Sequence, residues 1–155
     1  MKTALDIVKN KEKDIISVPE DTTIIDALKV MVKNRIGAIV VTRGDKIVGV
    51  WSERDLMEDI LKEGFDPKTA VIKDYMTTNL ISAPHSDSIY SLLDKFLGRR
   101  LRHLLIEQEG EYIGFLSTGD VIKANLWEKT RELKELNAIV SWEYYENWRW
   151  TGKEK

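Results

Sequence analysis

The amino-acid sequence predicts an α/β (α+β) fold in which two β-α-β-β-α repeats pack sheet to sheet with pseudo-two-fold symmetry, followed by a C-terminal helix. The first observation behind this prediction is an internal repeat, because residues 14–61 align with residues 79–126 at a shift of 65 without a gap. Ten of these 48 pairs are identical, whereas ordinary residue usage would give about three. The second is that one such unit leaves a sheet face open, so two units are needed to bury both faces.

The first repeat contains one complete set of elements. Its predicted elements are a strand at 14–18, a helix from Thr23, strands at 36–42 and 46–51, and a helix from Ser52 to about Glu63. Pro19 ends the first strand because it lacks a ladder donor. Thr23 and Asp26 have the spacing of a capping box, and Gly64 is a helix stop signal.

The second repeat follows the same order. Its predicted elements are a strand at 80–83, a helix at 88–97, strands at 103–107 and 112–116, and a helix from Thr118. The turn residues Phe65-Asp66-Pro67 mark the boundary, so we predict repeats at 1–65 and 66–126 and a tail at 127–155. Leu5–Val8 leads into the first repeat as Val71–Met76 leads into the second.

The tail differs in composition from both repeats. Residues 127–145 contain no glycine or proline and carry apolar residues at helical spacing, and four of the five tryptophans lie between 127 and 150. We predict an amphipathic, aromatic-rich helix that packs on the body or on a second subunit of a homodimer. Its balanced charge argues against a nucleic-acid site.

Composition excludes several classes of protein. The 155 residues include no cysteine, which rules out disulfides and thiolate chemistry, and the two histidines lie far apart, which argues against zinc. A net charge of −2 with interspersed signs argues against a nucleic-acid partner. The apolar runs are too short for a membrane span and no signal peptide is evident, so we expect a cytoplasmic protein.

One short motif occurs in both repeats. Gly49–Leu56 and Gly114–Val121 each contain a glycine, two apolar residues, Ser-x-x-Asp and an aliphatic residue. This pattern indicates a strand that runs into a helix N-terminus, where an anion can bind. The same spacing is also an ordinary capping box worth about 1 kcal/mol. No nucleophile–base pair, metal cluster or P-loop accompanies the motif, so we predict that the chain is not an enzyme.

These features resemble the CBS domain, named after cystathionine β-synthase, in its tandem (Bateman) arrangement, here with a Trp-rich C-terminal helical extension. The resemblance covers about residues 5–126 and includes both Ser-x-x-Asp motifs, the segments ending at Pro19 and Pro84, and Ile36–Val41. It implies regulation by an adenine nucleotide (AMP, ADP or ATP, with NAD or S-adenosylmethionine as further possibilities) and no catalytic cofactor.

The resemblance also implies roles for individual residues. The motif aspartates Asp55 and Asp120 would hold ribose hydroxyls, for which a carboxylate is a suitable acceptor. The hydroxyls of Ser52, Ser117 and Thr118 would hold phosphate. The base would lie near Ile16 and Ala38, or near Ile81 and Leu104.

Basic residues make the two predicted sites unequal. Arg102 or His103 is expected to reach across to the cleft of Asp55, and Arg54 adds charge there, so this cleft should favour more phosphate. Gly119 stands at the position of Arg54 in the second motif. Trp51 replaces a small aliphatic residue of the family pattern, and it either packs into the interface between the sheets or narrows the first cleft.

Two functions therefore remain open at this point. The chain is a regulatory sensor that binds an adenine nucleotide between its repeats and signals to an unknown partner by a conformational change. Alternatively, it is a ligand-independent scaffold for dimerisation that acts through its C-terminal tail.

Overall fold

The computed structural model describes residues 2–11 and 14–137, with side chains to residue 133, and confirms the predicted fold class. The first repeat contains α1 (Ala4–Asn10), β1 (Ser17–Pro19), α2 (Ile24–Asn34), β2 (Ala38–Arg43), β3 (Lys46–Ser52) and α3 (Glu53–Asp59). The second contains β4 (Ser82–Pro84), α4 (Ile89–Arg99), β5 (His103–Gln108), β6 (Glu111–Ser117) and α5 (Thr118–Asn137). The tryptophan-rich part of the predicted tail, at 142–150, lies outside the described residues.

The two sheets have the same topology and the same irregularity. In the first sheet β1 is parallel to β2 and β2 is antiparallel to β3, and β4, β5 and β6 repeat this arrangement. The register shifts between Val41 and Thr42 in one sheet and between Ile106 and Glu107 in the other, positions that are 65 apart. A shared bulge of this kind supports the internal repeat that the sequence predicts.

Each central strand is buried on both of its faces. Ile39 and Val41 of β2 pack against the helices of the first repeat. Ala38 and Val40 alternate with them and are also buried, and Ala38 lines a cavity between the repeats. Because successive strand residues point to opposite sides, the second face of each sheet looks toward the other repeat.

The helix after the first motif is shorter than predicted. We expected it to continue to about Glu63, but α3 ends at Asp59. Leu61 and Lys62 donate their backbone N–H groups to the carbonyls of Glu58 and Asp59, three residues back, so the helix tightens and stops.

The lead-in segments are exchanged between the two repeats. Ala4 and Ile7 of α1 are buried in the core of the second repeat, and Ile72 is buried in the core of the first. Thr3 bridges to Ser88 in the second repeat and Val71 bridges to Thr23 in the first. The order in which these segments pack therefore differs from their order in the chain, since α1 lies on the second repeat and Val71 and Ile72 lie on the first. The boundary at residue 65 stays a prediction.

Trp51 lies in the core of the first repeat and not in a cleft. Both positions considered for it from the sequence were wrong, since its side chain is fully buried on the helix side of the sheet. Its indole N–H donates to Asp59 Oδ2 at 2.9 Å, and Asp59 is itself buried. Lys62 also binds this carboxylate, at 3.0 Å. Asp59 thus takes part in a buried polar network in which both of its carboxylate oxygens have a hydrogen-bond donor.

We expect Gly114→Ala to displace α1. A Cβ atom at residue 114 would overlap Val8 Cγ2 and lie 3.0 Å from Val8 Cγ1. Such overpacking typically costs about 1–3 kcal/mol of unfolding free energy. Urea unfolding followed by circular dichroism measures this loss. The double variant Val8→Ala/Gly114→Ala should recover most of it, and an equal loss in both variants would contradict the contact.

Candidate functional site

The larger of the two clefts between the repeats has a volume of about 230 Å³ and contains the first motif. We call it the Asp55 cleft. The first repeat contributes Gly37, Val50, Ser52, Glu53, Arg54 and Asp55, and the chain that follows contributes Thr77, Asn79, Leu80, Ile81, Arg100, Leu101, Arg102, His103, Leu105 and Phe115. A molecule bound there would touch both repeats.

The first motif forms a complete capping box at the entrance to α3. Asp55 Oδ2 accepts from the backbone N–H of Ser52 at 2.9 Å, and Ser52 Oγ accepts from the backbone N–H of Asp55 at 3.3 Å. A carboxylate has acceptor sites on both oxygens, so Asp55 can cap the helix and still bind a hydroxyl. The capping interpretation and the binding interpretation are therefore compatible. Because α3 contains seven residues, we assign no anion site to its N-terminus alone. The positive charge that an anion needs has to come from side chains.

Three arginines supply that charge. Arg54 comes from the motif, whereas Arg100 and Arg102 come from the second repeat, and all three side chains are exposed. In the part of the chain that the structure describes, none of these guanidinium groups is held in an ion pair. Glu53 and Asp55 offset part of the charge, so the cleft carries one net positive charge. Guanidinium groups are well suited to phosphate because they donate in a planar fork.

His103 lines the same cleft as an uncharged group. Burial lowers the pKa of His103 to about 4, and Lys11 and Arg102 act in the same direction, whereas the carboxylate of Asp120 opposes them. The imidazole stacks on Phe115 with ring centroids 5.4 Å apart. At neutral pH this residue can offer a hydrogen bond or a ring face to a ligand, but it adds no positive charge.

The second cleft is smaller and contains a lysine. It has a volume of about 90 Å³ and is lined by Val8, Lys11, Asp14, Ile15, Ile16, Ile36, Ala38 and Ile113–Leu116. We call it the Lys11 cleft. Lys11 Nζ donates to the carbonyl of Phe115 at 2.9 Å and to Asp120 Oδ2 at 3.0 Å.

The second motif also caps its helix. Asp120 Oδ2 accepts from the backbone N–H of Ser117 at 2.8 Å, and Ser117 Oγ accepts from the backbone N–H of Asp120. Burial by itself would raise the pKa of Asp120, but the ammonium group of Lys11 and the Ser117 hydrogen bonds hold it below its usual value. Thr118 Oγ1 donates to the carbonyl of Arg102 at 3.3 Å.

The structure thus divides the predicted site residues into three groups. The Asp55 cleft brings together Ser52, Arg54, Asp55, Ile81, Arg102 and His103. Ile16 and Ala38 lie in the Lys11 cleft. Ser117, Thr118 and Asp120 line neither cavity. Leu104, which was expected near a base, is buried in the core of the second repeat, and its neighbour Leu105 lines the Asp55 cleft instead.

Sequence reasoning missed two charged residues. A run of charges such as the arginines at 99–100 is as often a solvated helix end as a ligand contact, and the structure places Arg100 in the lining of the Asp55 cleft. Its backbone φ of 52° matches the 55° of Arg35, which is 65 positions earlier, so both arginines end a helix in the left-handed conformation. Lys11 lies before the repeated region, and no motif pointed to it.

Acid should destabilise the protein through His103. The folded state binds this proton only near pH 4 whereas an unfolded histidine binds it near pH 6.5, so stability is complete above pH 6.5 and falls as the pH drops toward 4. We expect a loss of about 1–3 kcal/mol over this interval. Urea unfolding at pH 7.5, 5.5 and 4.5 measures it. His103→Asn should flatten the dependence, and equal slopes in both proteins would contradict the assignment.

Other kinds of site find no support in the described part of the chain. Residues 2–11 and 14–137 contain no group of three side chains that could bind a metal. The helices found in these ranges are either too short or too polar to cross a bilayer.

Comparison with known proteins finds relatives over most of the chain. The family model described as "CBS domain" matches twice, at residues 6–62 and 72–126. The mitochondrial CBS domain-containing protein CBSX3 of Arabidopsis thaliana is 30% identical over 151 residues, which cover 92% of this chain and 73% of that protein. The chain spans only 18% to 25% of the length of several other curated relatives.

Solved structures share the same fold. The CBS-domain containing protein from Agrobacterium tumefaciens superposes with a TM-score of 0.74 and 30% identity, covering 80% of this chain and 99% of that chain. A CBS domain protein from Pyrobaculum aerophilum, solved as a complex with AMP, has a TM-score of 0.69 and 24% identity and covers 82% of this chain and 97% of that chain.

Proposed function

This chain belongs to the CBS-domain family, and on that premise we propose that it is a regulatory module that binds an adenine nucleotide in the Asp55 cleft. The observation that carries the proposal is that one cavity contains the Asp55 carboxylate from the first repeat and the Arg100 and Arg102 side chains from the second. A site for a nucleotide needs an acceptor for ribose, donors for phosphate and an apolar surface for the base. The Asp55 cleft contains all three.

Each part of the nucleotide has candidate contacts. Asp55 would accept hydrogen bonds from the ribose hydroxyls, and Ser52 and the three arginines would bind the phosphates. The base would lie against Ile81, with Leu80 and Leu105 beside it. The cavity volume of about 230 Å³ is below the usual range of ~300–1,000 Å³ for ligand pockets, so we expect phosphates to project toward solvent, where the arginines are exposed.

The AMP complex of the Pyrobaculum aerophilum protein supports this choice of ligand class. That protein shares the fold of this chain and binds AMP. ADP, ATP, NAD and S-adenosylmethionine contain the same adenosine group, so they remain candidates for this chain. The arginines favour the ligands that carry phosphate.

Binding would act as a signal because the cleft is shared between the repeats. A ligand that contacts both repeats stabilises the arrangement in which they are close, and it shifts the population toward that arrangement. We propose that an unidentified partner protein distinguishes the two arrangements. We also propose a non-catalytic role and a cytoplasmic location, although the Arabidopsis thaliana relative is named as mitochondrial.

Calorimetric titration of the ligand-free full chain tests the proposal. AMP, ADP, ATP, NAD and S-adenosylmethionine would be titrated separately, with inosine 5′-monophosphate as a control for recognition of the adenine amino group. We expect micromolar binding of at least one adenine nucleotide. Absence of heat with all five, together with unchanged melting temperatures, would refute nucleotide sensing.

An exposed apolar surface favours a homodimer as an additional property. Met57 and Leu61 in the first repeat and Ile122 and Leu126 in the second are 39% to 85% exposed, and the members of each pair, Met57 with Ile122 and Leu61 with Leu126, are 65 positions apart. We propose that these four residues, which we call the α3/α5 face and which include Leu61 just beyond the end of α3, contact a second copy. An isologous contact of this kind buries the same patch on both subunits.

Charge on the α3/α5 face should dissociate the proposed dimer. We expect Leu61→Glu/Leu126→Glu to elute as a monomer in size-exclusion chromatography with light scattering, because the like charges would meet across the interface. Val32→Glu, at a residue that is 77% exposed on a different helix, is the control and should leave the dimer intact. A monomeric parent chain would refute the homodimer. A dimer that binds no nucleotide would instead favour the scaffold function.

A further inference from the structure

The two clefts differ in whether the motif aspartate lines the cavity. Asp55 lines its own cavity, and apart from the capping N–H of Ser52 the described residues leave its carboxylate available. Asp120 does not line the Lys11 cleft, although its motif is 65 positions later and its capping bonds are the same. Lys11 connects the two, because it lines the cavity and binds Asp120.

The ammonium group of Lys11 binds polar atoms at the place where a bound nucleotide would be expected to make contacts. It donates to Asp120 Oδ2 and to the carbonyl of Phe115, and its side chain is about one third exposed. That oxygen also accepts the capping N–H of Ser117, so with Lys11 bound both of its acceptor sites are filled, and the ammonium group stands at the motif carboxylate. A bound nucleotide would have to displace a charge-assisted hydrogen bond and find space in a cavity of about 90 Å³.

Among the residues that the structure describes, the lining of the Asp55 cleft includes no lysine, and Asn79 is the residue there that follows the glycine contact at the same distance as Lys11. Val8 and Met76 approach the equivalent glycines Gly114 and Gly49, and they are 68 positions apart. Lys11 follows Val8 by three residues as Asn79 follows Met76, and each lines its cleft, although in the 65-residue repeat Asn79 aligns with Asp14, which also lines the Lys11 cleft. Asparagine carries no charge that could pair with the motif carboxylate. The chain therefore supplies its own comparison between a cleft with an ammonium group and a cleft without one.

We propose that Lys11 closes the second cleft by occupying Asp120, so that the chain binds one adenine nucleotide per molecule and binds it in the Asp55 cleft. This inference rests on the proposed function and adds a regulatory contact to it. The pseudo-two-fold fold supplies two clefts, and Lys11 makes them unequal. Release of Lys11 from Asp120 would open a second site.

Exchange of Lys11 and Asn79 tests the proposal. Calorimetric titration with AMP should give one site in the parent and two sites in Lys11→Asn. In Asp55→Asn/Lys11→Asn, AMP should bind at least tenfold more tightly than in Asp55→Asn, because the second cleft then accepts it. Asn79→Lys should weaken binding to the Asp55 cleft at least tenfold. Lys9→Asn, on the exposed end of α1, is the matched control and should bind as the parent does.

The outcomes separate this inference from the proposed function. One site in both the parent and Lys11→Asn, with no recovery in the double variant, would overturn the role of Lys11 and leave nucleotide binding intact. Weaker AMP binding in Lys11→Asn would also overturn it, since Lys11 would then be a ligand contact. Failure of every variant to bind would refute both proposals. Binding by Lys11→Asn but not by the parent would support closure by Lys11 and refute binding in the Asp55 cleft.

Discussion

Asp55→Asn should weaken AMP binding by roughly 10- to 100-fold. A hydrogen bond to a charged group contributes about 1.5–3 kcal/mol, and about 1.4 kcal/mol corresponds to a tenfold change in affinity. Asparagine keeps an oxygen that can accept from the Ser52 N–H, so the helix cap and the fold should survive. Calorimetry with AMP measures the affinity, and the melting temperature without ligand checks the fold.

Asp120→Asn is the matched control for this prediction. It makes the same chemical change in the same capping geometry, but its carboxylate does not line a cavity. We expect the affinity of the Asp55 cleft for AMP to remain within about twofold of the parent's, and any site opened by the release of Lys11 to bind weakly because it lacks the motif carboxylate. The assignment of the nucleotide to the Asp55 cleft would be wrong if Asp120→Asn lost affinity and Asp55→Asn kept it.

Trp51→Ala should lower the free energy of unfolding by about 3–5 kcal/mol. Trp51 is fully buried in the core of the first repeat, and its removal leaves both a cavity and an Asp59 carboxylate without its indole donor. Such a loss is a large part of the ~5–15 kcal/mol that stabilises a typical domain. Urea unfolding followed by circular dichroism measures it.

Asp59→Ala separates packing from hydrogen bonding in this prediction. It leaves the indole N–H buried without its acceptor, which costs about 1–3 kcal/mol. The double variant Trp51→Ala/Asp59→Ala should be less destabilised than the sum of the single variants, because the two side chains interact directly. Val32→Ala is the control, since Val32 is 77% exposed and should change stability little. Strict additivity would show that the 2.9 Å contact contributes nothing to stability.

The fold class and the family were predictable because their signals are local or repeat at a fixed interval. Alternating and helical apolar patterns identified the strands and helices of both repeats, and the 65-residue shift related them. The Ser-x-x-Asp spacing identified both capping boxes before any contact was known. Pleat geometry could also have placed Trp51 correctly, since Ser52 and Val50 line the cleft and their neighbour must point the other way.

The sequence by itself therefore determined a tandem repeat with two motif aspartates and a basic segment before β5. Only the tertiary structure decided that α1 packs on the second repeat, that Arg100 enters the Asp55 cleft and that Lys11 binds Asp120. These contacts join residues distant in sequence, 109 positions apart for Lys11 and Asp120, so no local pattern encodes them. They arise when two sheet faces are buried against each other, and that burial makes two similar motifs chemically different.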